Sequence, residues 1–156
     1  MSSTVASTTF YLDLIETIDI NGVKQQAAKK MTKNLITDYN HRILTLAANS
    51  TSTLLTFAAS NAAGQVSADD VSYVRVSNLD DETAIRLVIN TVTAAPAAAG
   101  SFHINLPAGS SYLVSTKQAA IVAAGGNFAN YNIVSTIQAV TAADSTVDVE
   151  LFLISK

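Results

Sequence analysis

The sequence predicts an all-β domain, a β-sandwich of the jelly-roll kind with at most one or two short helices. Three observations carry this. Short apolar runs alternate with polar residues at a period of two, the period of a strand with one buried face. Turn-forming clusters separate them at intervals of about 8 to 15 residues, and the roughly eight to ten strands so delimited suit two packed sheets better than an alternation of strands and helices. No internal repeat is apparent at the periods of solenoids. One domain is expected over 1–156, with 1–9 as a flexible N-terminal segment.

Taken in order, Phe10, Leu12 and Leu14 alternate with Tyr11, Asp13 and Ile15, and Ile18-Asp19-Ile20 runs into Asn21-Gly22, the strongest short hairpin signal. The return arm from Val23 to Asn34 fits neither period well, so strand and helix both stay open there, a helix over Gln25 to Tyr39 being one reading. Arg42 to Ala47 and Thr53 to Ala58 read as a second hairpin across Asn49-Ser-Thr-Ser, whose side chains can bond their own backbone. Ser60 to Asp70 reads as a small-residue loop. Two alternating strands follow, Val71 to Asn78 and Ala84 to Asn90, joined at the acidic turn Asp80-Asp81-Glu82; Val74 and Val76 face one way, Tyr73, Arg75 and Ser77 the other. Thr93 to Gly100 is an Ala/Pro loop too poor in bulky side chains to pack by itself. Phe102 to Leu106 is a strand ended by Pro107-Ala-Gly109, with Tyr112 to Thr116 after it and a short helix expected over Lys117 to Ala124. Gly125-Gly126 breaks the chain before a last pair of strands, Tyr131 to Val140 and Thr146 to Ile154, with Val147, Val149, Leu151 and Leu153 on one face.

The chemistry of the chain is sparse. Charged residues make up 13% of the sequence, against roughly 25% in typical soluble domains. Depletion of charge is what the core of a protein interface shows. Between Leu87 and Ala143 the only charged side chain is Lys117, which points to cover by another subunit around Ala94 to Gly100, or else to a free surface unusually rich in Ser, Thr and Asn. The absence of Cys removes disulfide and thiolate chemistry. The N-terminal residues have neither the basic nor the apolar region of a signal peptide, and no apolar run approaches the ~20 residues of a membrane span. No cofactor site is expected.

Candidate catalytic groups do not converge. His41 and His103 stand about sixty residues apart with no acidic or histidine partner at metal-ligand spacing, and no Gly-x-Ser-x-Gly elbow is present. Asp69-Asp70 and Asp80-Asp81-Glu82 flank one strand and would lie roughly 25 Å apart, too far to share an ion. Asp80 and Asp81 alone are open to two readings, a weak calcium site or an acidic β-turn. Asp13, Glu16, Asp148 and Glu150 are the acids a glycosidase-like cleft would need, and equally the charges of protected edge strands. Lys24, Lys29, Lys30, Lys33 and Arg42, five of the nine basic residues, gather in one segment. With net charge −3 and only Tyr39 nearby as an aromatic, that segment suits contact with an acidic protein surface, or a solvated face, better than nucleic acid.

The run Asp69-Asp70-Val71-Ser72-Tyr73-Val74-Arg75-Val76-Ser77-Asn78-Leu79-Asp80-Asp81, then Ile85-x-Leu87-x-Ile89, then Phe102-x-Ile104-x-Leu106-x-Ala108-Gly109-Ser110-x-Tyr112-Leu113, resembles a recurring pattern in small virion proteins of tailed bacteriophages, marine ones especially. Asn21-Gly22 and His41-Arg42-Ile43-Leu44-Thr45 match the same pattern. The resemblance covers most of the chain and rests on strand and turn motifs. It implies a non-enzymatic β-sandwich component of the virion, made in the host cytoplasm. A capsid decoration or cement protein is the leading role, as a homotrimer binding the major capsid protein or another virion protein, with neither nucleic acid nor membrane as partner. Tyr73, Phe102 and Tyr112 would then be core or subunit-contact residues, and the basic segment would meet the shell. A tail, neck or fibre-associated component is the alternative, and a β-sandwich carbohydrate-binding or hydrolytic protein a distant one.

Overall fold

The computed structural model describes residues 7–58, 65–68, 70–91, 100–114, 134–141, 144 and 146–156. These form eleven strands and no helix: β1 (Thr8–Ile20), β2 (Val23–Ile36), β3 (Asp38–Leu46), β4 (Thr51–Ala58), β5 (Gln65–Ser67), β6 (Val71–Asn78), β7 (Ile85–Thr91), β8 (Ser101–Leu106), β9 (Ser111–Val114), β10 (Val134–Thr141) and β11 (Val147–Ser155). The chain divides into two compact units, Met1–Asp38 together with Lys156, and Tyr39–Ser155.

The first unit contains a two-stranded antiparallel ribbon of β1 and β2. Asn21 and Gly22 both adopt positive φ, 54° and 78°, the requirement of the tight turn whose twist matches the strands it joins. Asp19 Oδ1 accepts from the Gly22 amide at 2.9 Å and pins that turn. The helix considered for Gln25 to Tyr39 is therefore replaced by strand: Val23–Ile36 pairs along almost its whole length with β1, from Ile20↔Val23 to Phe10↔Lys33. Near the far end the register slips between Thr8 and Phe10, and Leu35 sits at φ 61°, a β-bulge that inserts one extra residue in β2. Thr8 and Thr9, expected in a loose N-terminal segment, open β1.

The second unit is a sandwich of two sheets, ordered β5-β4-β10-β7-β8 and β3-β11-β6-β9. Leaving aside the three-residue edge strand β5, its eight strands pair first with last, second with seventh, third with sixth and fourth with fifth: β3 with β11, β4 with β10, β6 with β9, β7 with β8. That is a long hairpin rolled up on itself, the jelly roll. The expected second hairpin and the expected last pair of strands are corrected by it. β3 and β4 lie in different sheets, as do β10 and β11, so their connections are corners between layers. The strands flanking the acidic turn, β6 and β7, likewise belong to opposite sheets. Within the loop expected over Ser60 to Asp70, Gln65–Ser67 runs parallel to the end of β4. The Ala/Pro stretch 93–99, the helix expected over 117–124 and the break at 125–126 lie outside the described residues.

Alternation explains the core. Val74 and Val76 of β6 and Val147, Val149, Leu151 and Leu153 of β11 turn one face of their sheet inward against Leu54, Ile85, Leu87, Ile89, Ile137 and Ala139 of the other. Tyr112 and Phe102 are partly buried against this cluster. Tyr73 is buried too, but on the opposite face of β6, beside Ile154 in register. Asn78, at the end of β6, is a buried polar hub: its Nδ2 donates to the carbonyls of Thr83, Leu106 and Pro107 at 2.8, 3.2 and 3.2 Å, and its Oδ1 accepts from the Asp80 amide at 3.1 Å. The β6–β7 corner is thereby tied to the β8–β9 turn.

Candidate functional site

Two surfaces concentrate the polar chemistry of the described residues, one in each unit. On the ribbon, cross-strand partners share a face. One face carries Leu12, Leu14, Ile18, Ile20, Val23 and Met31 together with Glu16, Lys29 and Lys33; the other carries Tyr11 and Ile15 together with Asp13, Asp19, Lys24 and Lys30. Ile15, Ile18, Ile20 and Val23 are 59, 55, 53 and 57% exposed. Both faces thus present large apolar side chains to solvent.

This placement divides the basic segment. Lys30 stands opposite Asp13 and Lys24 opposite Asp19 on one face, Lys29 and Lys33 lie on the other. Arg42 belongs to the sandwich, where its guanidinium donates to the Leu54 carbonyl and bridges β3 to β4 across the layers. The four lysines are thus divided between the two faces of the ribbon.

On the sandwich, the outward face of the β3-β11-β6 sheet bears a compact ionic and aromatic cluster. Glu150 accepts from Arg75 at 2.6 Å through Oε2 and meets His41 Nε2 at 2.8 Å through Oε1. Phe152, one pleat along β11, takes the Arg75 guanidinium over its ring at 5.7 Å and stands in T-shaped contact with His41 and Tyr73, ring centres 5.7 and 6.2 Å away. Asp148, one pleat the other way, accepts from Thr45 at 2.6 Å. Partial burial pushes the Glu150 carboxyl up, yet the His41 hydrogen bond and the Arg75 charge outweigh it and hold the group below its ordinary value. Burial raises the Tyr73 phenol, with Arg75 opposing.

A carboxylate whose pKa is depressed on folding contributes stability above its unfolded value, and that contribution is lost as pH falls through the lower folded value. Thermal melts of the wild type and Glu150→Gln should therefore differ by about 1 kcal/mol at neutral pH, a figure already reduced for solvent screening of the partly exposed partners. The gap should close as pH drops below the ordinary glutamate value of 4.5. A gap that persists to pH 3 would mean that packing, and not charge, is what Gln disturbs.

Sequence spacing gave His41 no acidic partner; the partner is Glu150, brought beside it by pairing β3 with β11. Of the acids considered for a cleft, Asp148 and Glu150 are engaged in these contacts, and Asp13 and Glu16 belong to the ribbon. The acidic turn is organised by Asp80, whose Oδ1 accepts from the amides of Glu82 and Thr83 at 2.9 and 2.6 Å, and these backbone bonds hold its carboxyl below the usual range. His103 meets Ser101 at 3.3 Å on β8. Among the described residues no three His, Asp or Glu side chains group as metal ligands, and no helix is long and apolar enough to cross a membrane.

Fold and surfaces together define a jelly-roll sandwich with an added β-ribbon. No family model matches the sequence, and no curated protein does. Among solved structures the chain is similar to a family 11 carbohydrate-binding module from Clostridium thermocellum in complex with a β-1,3-1,4-mixed-linked tetrasaccharide, with 8% identity and a TM-score of 0.29 over 96% of this chain and 86% of that one. It is similar also to the family 11 module of the cellulosomal cellulase Lic26A-Cel5E of the same organism, with 8% identity and a TM-score of 0.28 over 96% and 85%. Likeness this distant says nothing about ligands.

Proposed function

We propose that this protein is a non-enzymatic structural subunit of a tailed-phage virion, acting as a capsid decoration or cement protein that binds over the joints between shell subunits. The observation that carries this reading is the β1–β2 ribbon. It is roughly 40 Å long for a strand of 13 residues, and Leu14, Ile15, Ile18, Ile20 and Val23 along it are exposed. A two-stranded ribbon alone is marginally stable in water, and exposed apolar patches mark surfaces that meet a partner. A subunit destined for a particle has such a surface covered on assembly. The jelly roll is a frequent scaffold of viral shell domains, which supports the reading without carrying it.

The test is co-sedimentation with empty expanded shells of the same virus, beside unassembled major capsid protein and isolated tails. The protein should pellet with shells and leave the unassembled subunit in solution. It should also raise the shell's melting temperature with occupancy, as any ligand of the assembled state alone must. Equal binding to shells and free subunits, or to neither, overturns the role, and pelleting with tails alone moves it to the neck or tail.

A further inference from the structure

The ribbon segregates its charges by strand. β1 carries Asp13, Glu16 and Asp19 and no base; β2 carries Lys24, Lys29, Lys30 and Lys33 and no acid. One long edge of the ribbon is therefore acidic and the other basic. Among the described residues no further strand pairs with either edge. The two-residue turn closes on Ile20↔Val23 as a hydrogen-bonded pair, so alternation makes Thr17↔Gln26, Ile15↔Ala28 and Asp13↔Lys30 the pairs whose amides and carbonyls point away from the ribbon.

We infer that the β1–β2 ribbon is the self-assembly element of this protein: the outer edge of β1 in one copy pairs with the outer edge of β2 in the next, and three ribbons close into a six-stranded ring. The occupant of each edge is a second copy of this chain. The inference rests on the reading of the protein as an assembly subunit, and not on the identity of the particle.

Charge selects this arrangement over the alternatives. A two-fold pairing through β1 would set Asp13, Glu16 and Asp19 against their own copies, and one through β2 would set Lys against Lys; like charges directly opposed across strands are unfavourable. Pairing β1 with a neighbour's β2 opposes acids to lysines at every seam and keeps the antiparallel sense of the ribbon itself. Such a head-to-tail contact closes under cyclic symmetry. Closure also removes both free edges, which otherwise invite uncontrolled pairing. The ring must turn one ribbon face inward, and the face with Leu12, Leu14, Ile18, Ile20, Val23 and Met31 is the more apolar. Six strands leave a bore narrow enough for those side chains to fill. The charges on that face are Glu16 on β1 against Lys29 and Lys33 on β2, opposite in sign across each seam.

Light scattering of the full chain tests this directly. Three chain masses of 16.3 kDa are expected; one mass, two masses or an open polymer overturns the ring. Thr17→Pro and Ala28→Pro each remove an outward amide while sparing the bonds within the ribbon, so each should give single chains with the sandwich's thermal transition unchanged. A trimer that survives both overturns edge pairing. Asp13→Lys with Glu16→Lys should weaken association at least tenfold, and adding Lys29→Glu with Lys30→Glu should restore it; failure of the second pair to restore the trimer also overturns the proposal. A trimer that ignores shells refutes the capsid role and leaves the ring standing, whereas a monomer that binds shells does the reverse.

Discussion

Asn78→Ala should destabilise the sandwich by about 3 to 5 kcal/mol, a large part of the 5 to 15 kcal/mol that holds a typical domain folded. The side chain is only 1% exposed, and its amide group serves three carbonyls at once, those of Thr83, Leu106 and Pro107. Truncation leaves these acceptors, and the Asp80 amide, in a site that the folded chain closes to solvent. Asn78→Asp separates the causes. It keeps the shape and the acceptor for the Asp80 amide but aims a carboxylate oxygen at three carbonyls, so it should be at least as damaging as alanine. Urea denaturation at neutral pH is the measurement. A loss under 1 kcal/mol in either variant would mean that the two turns stay joined without Asn78.

Leu151→Ala comes next, with an expected loss of about 2 to 5 kcal/mol. Leu151 is 0% exposed on β11, opposite Val76 in register and within the layer between the sheets. Removing three carbons there forfeits transfer energy and leaves a cavity, because strands on both sides hold the backbone in place. Leu113→Ala on β9 is the control: at 40% exposed it should change stability by no more than about 0.5 kcal/mol. If the two variants unfold alike, the inter-sheet layer is not where stability resides.

For most of the sandwich strands, identity and face were legible in the sequence because alternation is a local property. Val147, Val149, Leu151 and Leu153 could be assigned to one buried face from spacing alone, and they are all in the core. Pairing was not legible. Asn49 and its neighbours have the composition of a hairpin turn, yet Asn49 (φ 49°) and Ser50, whose hydroxyl donates to the Ala47 carbonyl at 2.6 Å, turn a corner between sheets. A turn cluster states that the chain reverses and leaves open whether the next strand joins the same layer or the facing one. For β2 the lysine-rich pattern lacked a clear period because both ribbon faces are exposed, so neither had to be apolar throughout. The segregation of acids and bases was present in the residues but had no meaning until β1 and β2 were paired. His41 with Glu150, 109 positions apart, could be joined only by the fold.

The rolled topology also sets an order of events for a chain emerging from a ribosome. β11 lies in the interior of its sheet, between β3 and β6. Until residues 147–155 are made, both of those strands wait with an open flank, and the layer that Leu151 and Leu153 complete has no floor. Pairing of the first sandwich strand with the last has high contact order, so folding should be slow and largely withheld until synthesis has passed β11. The β1–β2 ribbon, by contrast, has only a two-residue turn to close and is fully synthesised long before, although by itself it is only marginally stable. If the ribbon pairs between copies as inferred, nascent chains on one message would carry that element while the domain behind it is still unformed, and timing becomes a constraint on assembly that the finished structure no longer displays.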